Sequence, residues 1–161
     1  IDTQRGYGHF REEDLKCYLF CKIMNLLLSH GEFLMNLHAN VPIMNGKTVD
    51  LALGLKKNKW SVGIEIKRVG DVKLIKKDLE KLRNFIMKGF LDTGIFVTIA
   101  KHSVNLKGNF QREINDEYNL EEKDNGDNNF TQWYRITLGE YNIDWDALLV
   151  VLRKVENYRR E

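Results

Sequence analysis

The sequence predicts an α/β domain in which a mixed β-sheet carries helices on both faces. Three observations predict it. Segments 47–55 and 60–67 alternate apolar and polar residues with the two-residue period of a strand. Segments 11–29 and 71–88 repeat apolar residues with the period of a helix. The run Gly94-Ile95-Phe96-Val97-Thr98-Ile99-Ala100 is short and apolar without alternation, as in a strand buried on both faces.

In order, residues 11–29 form a helix whose polar edge is narrow (Lys22, Asn25, Ser29), so it is expected to be largely buried. Residues 33–43 are read as a strand, closed by the turn residues Asn45-Gly46. Segments 47–55 and 60–67 then make a hairpin around Lys56-Lys57-Asn58-Lys59. Asp71 opens the next helix, with Ile75, Leu79, Leu82 and Ile86 on one face. Segment 94–100 is a central strand, 110–120 a short acidic helix, 121–129 a polar loop and 132–138 a strand. Asp144 is read as the N-cap of a last helix, with Leu148, Leu152 and Val155 inward and Lys154, Arg159 and Arg160 near its C-terminus. The expected order is α-β-β-β-α-β-α-β-α.

The 161 residues suit one domain, residues 1–161, and contain no repeat and no linker, with one proline and twelve glycines. Apolar residues at 43% and charged residues at 30% exclude a disordered chain. The richest apolar stretch, 17–28, is interrupted by Lys22 and Asn25 and is too short for a bilayer span, so no membrane partner is expected. Cys17 and Cys21, one helical turn apart, read as buried thiols of a reducing compartment and hence of a cytoplasmic protein.

The net charge of +2 is unevenly distributed. Between Lys56 and Lys88 eleven basic residues face four acidic ones, whereas between Gln111 and Phe130 seven acidic residues face two basic ones. Such separation can orient a polyanion on one side of the domain. Arg68, Lys73, Lys76 and Lys77 are the expected phosphate contacts.

The chemistry lies on the second face of the hairpin. That face carries Thr48, Asp50, Ala52 and Gly54 on one strand and Ser61, Gly63, Glu65 and Lys67 on the other. A turn at Lys57-Asn58 sets Asp50 opposite Glu65, with Lys67 one same-face step beyond. Two opposed carboxylates repel unless a cation or a shared proton compensates. Lys67 bridging both is one compensation. A hard divalent ion, Mg²⁺ or Mn²⁺, completed by water and phosphate oxygens, is another. The small residues Ala52, Gly54, Ser61 and Gly63 are expected to leave this face open to a ligand.

The string Gly46-Lys47-Thr48-Val49-Asp50-Leu51, followed after thirteen residues by Glu65-Ile66-Lys67, resembles the Asp…Glu-X-Lys signature of the PD-(D/E)XK nuclease superfamily. Val49 stands where many members have proline. The resemblance implies a restriction-endonuclease-like αβββαβ core over residues 11–100. It implies a Mg²⁺- or Mn²⁺-dependent deoxyribonuclease, an endonuclease, with Asp50 and Glu65 as metal ligands and Lys67 as the catalytic lysine. Members commonly add a first-helix glutamate; Glu12 and Glu13 stand there, and the helical wheel favours Glu13 as a third ligand. Action as a homodimer, or as one domain of a longer chain, is also implied. Cleavage of RNA and a non-catalytic nucleic-acid-binding or protein-interaction module on the same fold are the alternatives.

Other patterns carry less. His9, His30, His38 and His102 lack metal-ligand spacing, and residues 124–129 lack the glycine and glutamate placement of an EF-hand. No phosphate-binding glycine loop and no Ser-His-Asp or Cys-His nucleophile pattern occurs. Trp133 and Tyr134 read as core aromatics of a strand.

Overall fold

A computed structural model describes residues 11–31, 36–68, 71–102, 105–138 and 143–154. Residues 33–35, His9, Val155, Arg159 and Arg160, which figured in the expectations above, lie outside these ranges. The elements are α1 (Glu12–Ser29), β1 (Leu37–Met44), β2 (Lys47–Lys56), β3 (Lys59–Lys67), α2 (Val72–Met87), β4 (Leu91–Lys101), α3 (Leu106–Glu113), α4 (Asn115–Tyr118), β5 (Phe130–Leu138) and β6 (Ile143–Arg153). One six-stranded mixed sheet has the order β1-β2-β3-β4-β6-β5, and among the described strands β3 and β4 are the pair that runs parallel. The parallel pair follows from the α2 crossover, since parallel neighbours require a long connection.

The two hairpin turns explain the register. Asn45 and Gly46 have φ of 50° and 73°, and Lys57 and Asn58 have 47° and 65°, the positive values of two-residue turns matched to strand twist. The second turn sets the pairs Lys56↔Lys59 through Leu51↔Ile64, as expected from the sequence. At Asp50 the pairing stops. Between the β1–β2 pairs Ala39↔Leu51 and Val41↔Val49, Asn40 is left-handed at φ 51°. The faces exchange there. Leu37 and Leu51 pack on the α1 side, whereas Val41 and Val49 pack on the α2 side.

Asp71 caps α2 by accepting the Lys73 N–H at 2.9 Å, and Ile75, Leu79, Leu82 and Ile86 are buried against the sheet. Gly94 permits this approach, because a Cβ there would stand 3.1 Å from Leu82 Cβ. α2, α3 and α4 cover one face, with Leu106, Phe110, Ile114 and Tyr118 extending its core. The expected helix over 110–120 is thus two shorter helices, the first starting earlier, at Leu106.

On the other face lies α1, through Leu15, Leu19, Phe20 and Ile23. The expectation of a largely buried helix is corrected. Among its described residues only Leu15 is buried, and Cys17, Tyr18, Cys21, Leu26 and Leu28 are exposed. A helix lying on a sheet buries one stripe, and apolar composition on the remaining sides does not supply a partner. The two thiols are therefore free and exposed, not buried. No helix among the described residues is long and apolar enough to cross a membrane.

The last helix is also corrected. Ile143–Arg153 is a strand, β6, inserted between β4 and β5. Leu148, Val150 and Leu152 face the α2 side, while Trp145 faces the α1 side. A strand buried on both faces reads as a continuous apolar run, which by period alone resembles a buried helix.

Candidate functional site

The end of the β2–β3 pairing places two carboxylates. Asp50 turns into the gap where the ladder stops, and its Oδ2 accepts the Ile66 backbone N–H at 2.7 Å. It is therefore not a regular ladder partner of Glu65, as the register extrapolates; its side chain replaces a backbone acceptor instead. Glu65 projects from β3 toward α2 and is only 5% exposed. The Asp50 charge is among the groups that push the Glu65 pKa upward, so the two carboxylates repel.

Ammonium groups from both helix layers meet these acids. From α1, Lys16 Nζ lies 2.9 Å from Asp50 Oδ1 and 3.1 Å from Glu12 Oε1. Glu12 Oε2 in turn accepts the Arg68 backbone N–H at 3.3 Å. From α2, Lys81 Nζ lies 2.6 Å from Glu65 Oε1 without hydrogen-bond alignment, and 4.0 Å from Asp78 Oδ1. Lys67 Nζ stands 3.6 Å from Asp78 Oδ2, an ion pair too long for a hydrogen bond. The cluster thus sets four carboxylates against three ammonium groups where the helix layers meet the splayed strands.

Burial raises the Glu65 pKa to about 7; Lys81 opposes the rise, and the Asp50 and Asp78 charges add to it. Burial alone would lower the Lys16 pKa, but hydrogen bonds to Asp50 and Glu12 outweigh it and hold the group above its ordinary value.

The expected residues fall out as follows. Asp50, Glu65 and Lys67 share one strand end. Glu13 is exposed, and Glu12, one position earlier, reaches Asp50 through Lys16, so the wheel's preference for Glu13 is corrected. α1 is rotated by its Leu15 contact, which turns Glu12 and Lys16 toward the strands. Arg68 stacks over the Trp145 ring at 5.4 Å, on the sheet face opposite Glu65. Lys73 and Lys77 are exposed on α2, and Lys76, 44% exposed, pairs with Glu117 of α4. The small residues do not leave an open face either. Ala52 is fully buried, and a Cβ at Gly63 would meet Leu91 at 2.7 Å. The space was needed for packing.

Lys16, Asp78 and Lys81 were not anticipated. Asp78 is legible in hindsight, lying about 60° from Ile75 on the wheel at the edge of the apolar stripe. Lys16 carries the (i, i+4) spacing from Glu12, but nothing local ties it to Asp50.

The donors suit a hard cation in kind, since Asp50 and Glu65 offer carboxylate oxygens and Glu65 is buried with incomplete neutralisation. Among the described residues no three His, Cys, Asp or Glu side chains converge as a ready-made cage. Two carboxylates completed by water and phosphate oxygens is the arrangement typical of Mg²⁺ at phosphate-processing sites. Comparison with protein-family models, curated proteins and solved structures finds no match to the chain.

Proposed function

We propose that this protein is a metal-dependent nuclease of PD-(D/E)XK type that hydrolyses phosphodiester bonds in DNA as an endonuclease, using Mg²⁺ or Mn²⁺. One observation carries the reading: Asp50 and Glu65 both lie where the β2–β3 pairing ends, the Asp50 charge acts on Glu65, and Lys67 stands one same-face step beyond Glu65. Asp50 and Glu65 would hold the cation. When bound, such a cation polarises a phosphoryl oxygen and makes water a better nucleophile at neutral pH. The Ile66 N–H fixes the Asp50 carboxylate. Lys67, partly exposed, offers an ammonium to the charge that develops on the phosphate oxygens. Lys16 and Lys81 limit repulsion between the acids before any cation arrives. We place the protein in the cytoplasm, where two exposed free thiols stay reduced.

A second reading has its own observation. Lys16 and Lys81 already stand against Asp50 and Glu65, so these two acids each have a counter-charge without metal, which suits a non-catalytic nucleic-acid-binding module. Incubation of DNA and RNA with the protein in Mg²⁺, Mn²⁺ or EDTA separates the readings. Cleavage that EDTA abolishes supports the nuclease, and binding without cleavage in either ion supports the module.

A further inference from the structure

Four basic residues and His102 collect at the end of the sheet that carries Lys67. Lys67 and Arg68 close β3, Lys101 and His102 close β4, and Arg135 lies near the end of β5. Two buried side chains hold four of these five, and Lys67 faces Asp78. Asp146, 8% exposed, meets His102 Nδ1 at 2.8 Å through Oδ2 and Arg135 Nε at 3.6 Å through Oδ1. Trp145, 3% exposed on the opposite face, carries Arg68 at 5.4 Å and Lys101 at 6.0 Å from its ring centre. The cations therefore rim the strand ends on both faces. Asp146 and Asp78 are each held against cations, and Asp144, at the start of β6, is half-buried.

The α2 surface is less suited to an anion. Its Lys76 is paired with Glu117, its Arg83 approaches Glu80, and Glu113 of α3 lines one hollow with Lys73. Strands in a sheet lie about 4.8 Å apart, so the three steps from β3 to β5 span about 14 Å. That is roughly four phosphates at ~3.4 Å of axis per charge of one strand.

We propose that the phosphodiester backbone of a nucleic acid runs from Lys67 across the ends of β4 and β5, held by Lys101, His102 and Arg135 with Arg68 at the rim, and not along α2. The proposal rests on the nucleic-acid substrate of the nuclease reading and assigns the path of that substrate. Affinity for a fluorescein-labelled DNA duplex, measured in EDTA over a salt series, tests it. Lys101→Gln with Arg135→Gln flattens the slope of log affinity against log salt by about 0.9 for each lost contact. Lys73→Gln with Lys77→Gln leaves the slope unchanged. Because Arg135 also neutralises buried Asp146, Arg135→Lys is the structural control: it keeps the charge and keeps the wild-type slope. The reverse pattern, with the α2 pair flattening the slope and the sheet-end pair not, overturns the proposal. If the sheet-end pair acts as stated but the wild type cleaves no DNA in Mg²⁺ or Mn²⁺, the surface stands and the nuclease reading falls. Cleavage by a wild type whose slope ignores Lys101 and Arg135 overturns the surface alone, and absence of binding overturns both.

Discussion

Asp50 accepts the backbone N–H of Ile66 through Oδ2 at 2.7 Å, so a side chain of β2 occupies the position its own backbone has left. This hydrogen bond converts a break in the ladder into a fixed carboxylate. Most of the charged chemistry then assembles around it, with Lys16 arriving from α1 and Lys81 from α2.

Metal linkage follows from that pair. A cation bound by Asp50 and Glu65 in the folded state alone raises stability by mass action, about 2.7 kcal/mol at a hundredfold excess over Kd. Thermal melts of the wild type are expected to shift upward with Mg²⁺ or Mn²⁺, and melts of Asp50→Asn are expected to stay put. Equal shifts in both proteins place the cation elsewhere.

Glu65 sets a pH dependence of the metal-free protein. Its carboxyl titrates near 4.5 when unfolded and near 7 in the fold. Below about pH 4.5 both states are protonated and the group contributes no cost. From there to pH 7 the unfolded state loses its proton first, so stability falls as pH rises, by on the order of 3 kcal/mol above pH 7. Glu65→Gln is expected to be more stable than wild type at pH 8 and equal to it near pH 4 by urea denaturation in EDTA. A difference that does not vary with pH contradicts this.

Lys81 opposes that cost, because its ammonium favours the ionised carboxylate. Lys81→Met is expected to lose about 2 kcal/mol at pH 8.5, and less below pH 6, where Glu65 takes a proton instead. In the Glu65→Gln background the pH dependence of the Lys81→Met effect should largely vanish. Urea titrations of both singles and the double variant measure this.

How much of this was legible in the sequence varies by element. The hairpin register was, because left-handed residues at Lys57 and Asn58 permit a two-residue turn that fixes every pair from Leu51 outward. The fate of Asp50 was not, since the break depends on Asn40 of the neighbouring strand. Leu148-Leu149-Val150-Val151-Leu152 has no alternation, and only its place between β4 and β5 makes it a strand. Charge counts pointed to α2 as basic, but Glu117 and Glu65 take two of its lysines through contacts distant in sequence.

The corrected elements can be checked by stability. Leu148 is fully buried in β6, and Leu148→Ala is expected to cost about 2–5 kcal/mol. Leu28 lies on the exposed side of α1, and Leu28→Ala is expected to change stability by less than about 0.5 kcal/mol. A large loss at Leu28 would mean that the outer side of α1 is covered.

The proposed nuclease depends most on Lys67, whose ammonium would act on charge that appears only in the transition state. The most direct measurement is single-turnover cleavage of labelled DNA in Mn²⁺ by wild type and Lys67→Ala, with Lys88→Ala, on the exposed C-terminal end of α2, as control. Cleavage by the wild type and by the control is expected, with a loss of about a hundredfold or more in Lys67→Ala and with folding and most DNA affinity retained. A wild type that binds DNA and leaves it intact, or a Lys67→Ala that cleaves as fast as wild type, would contradict it.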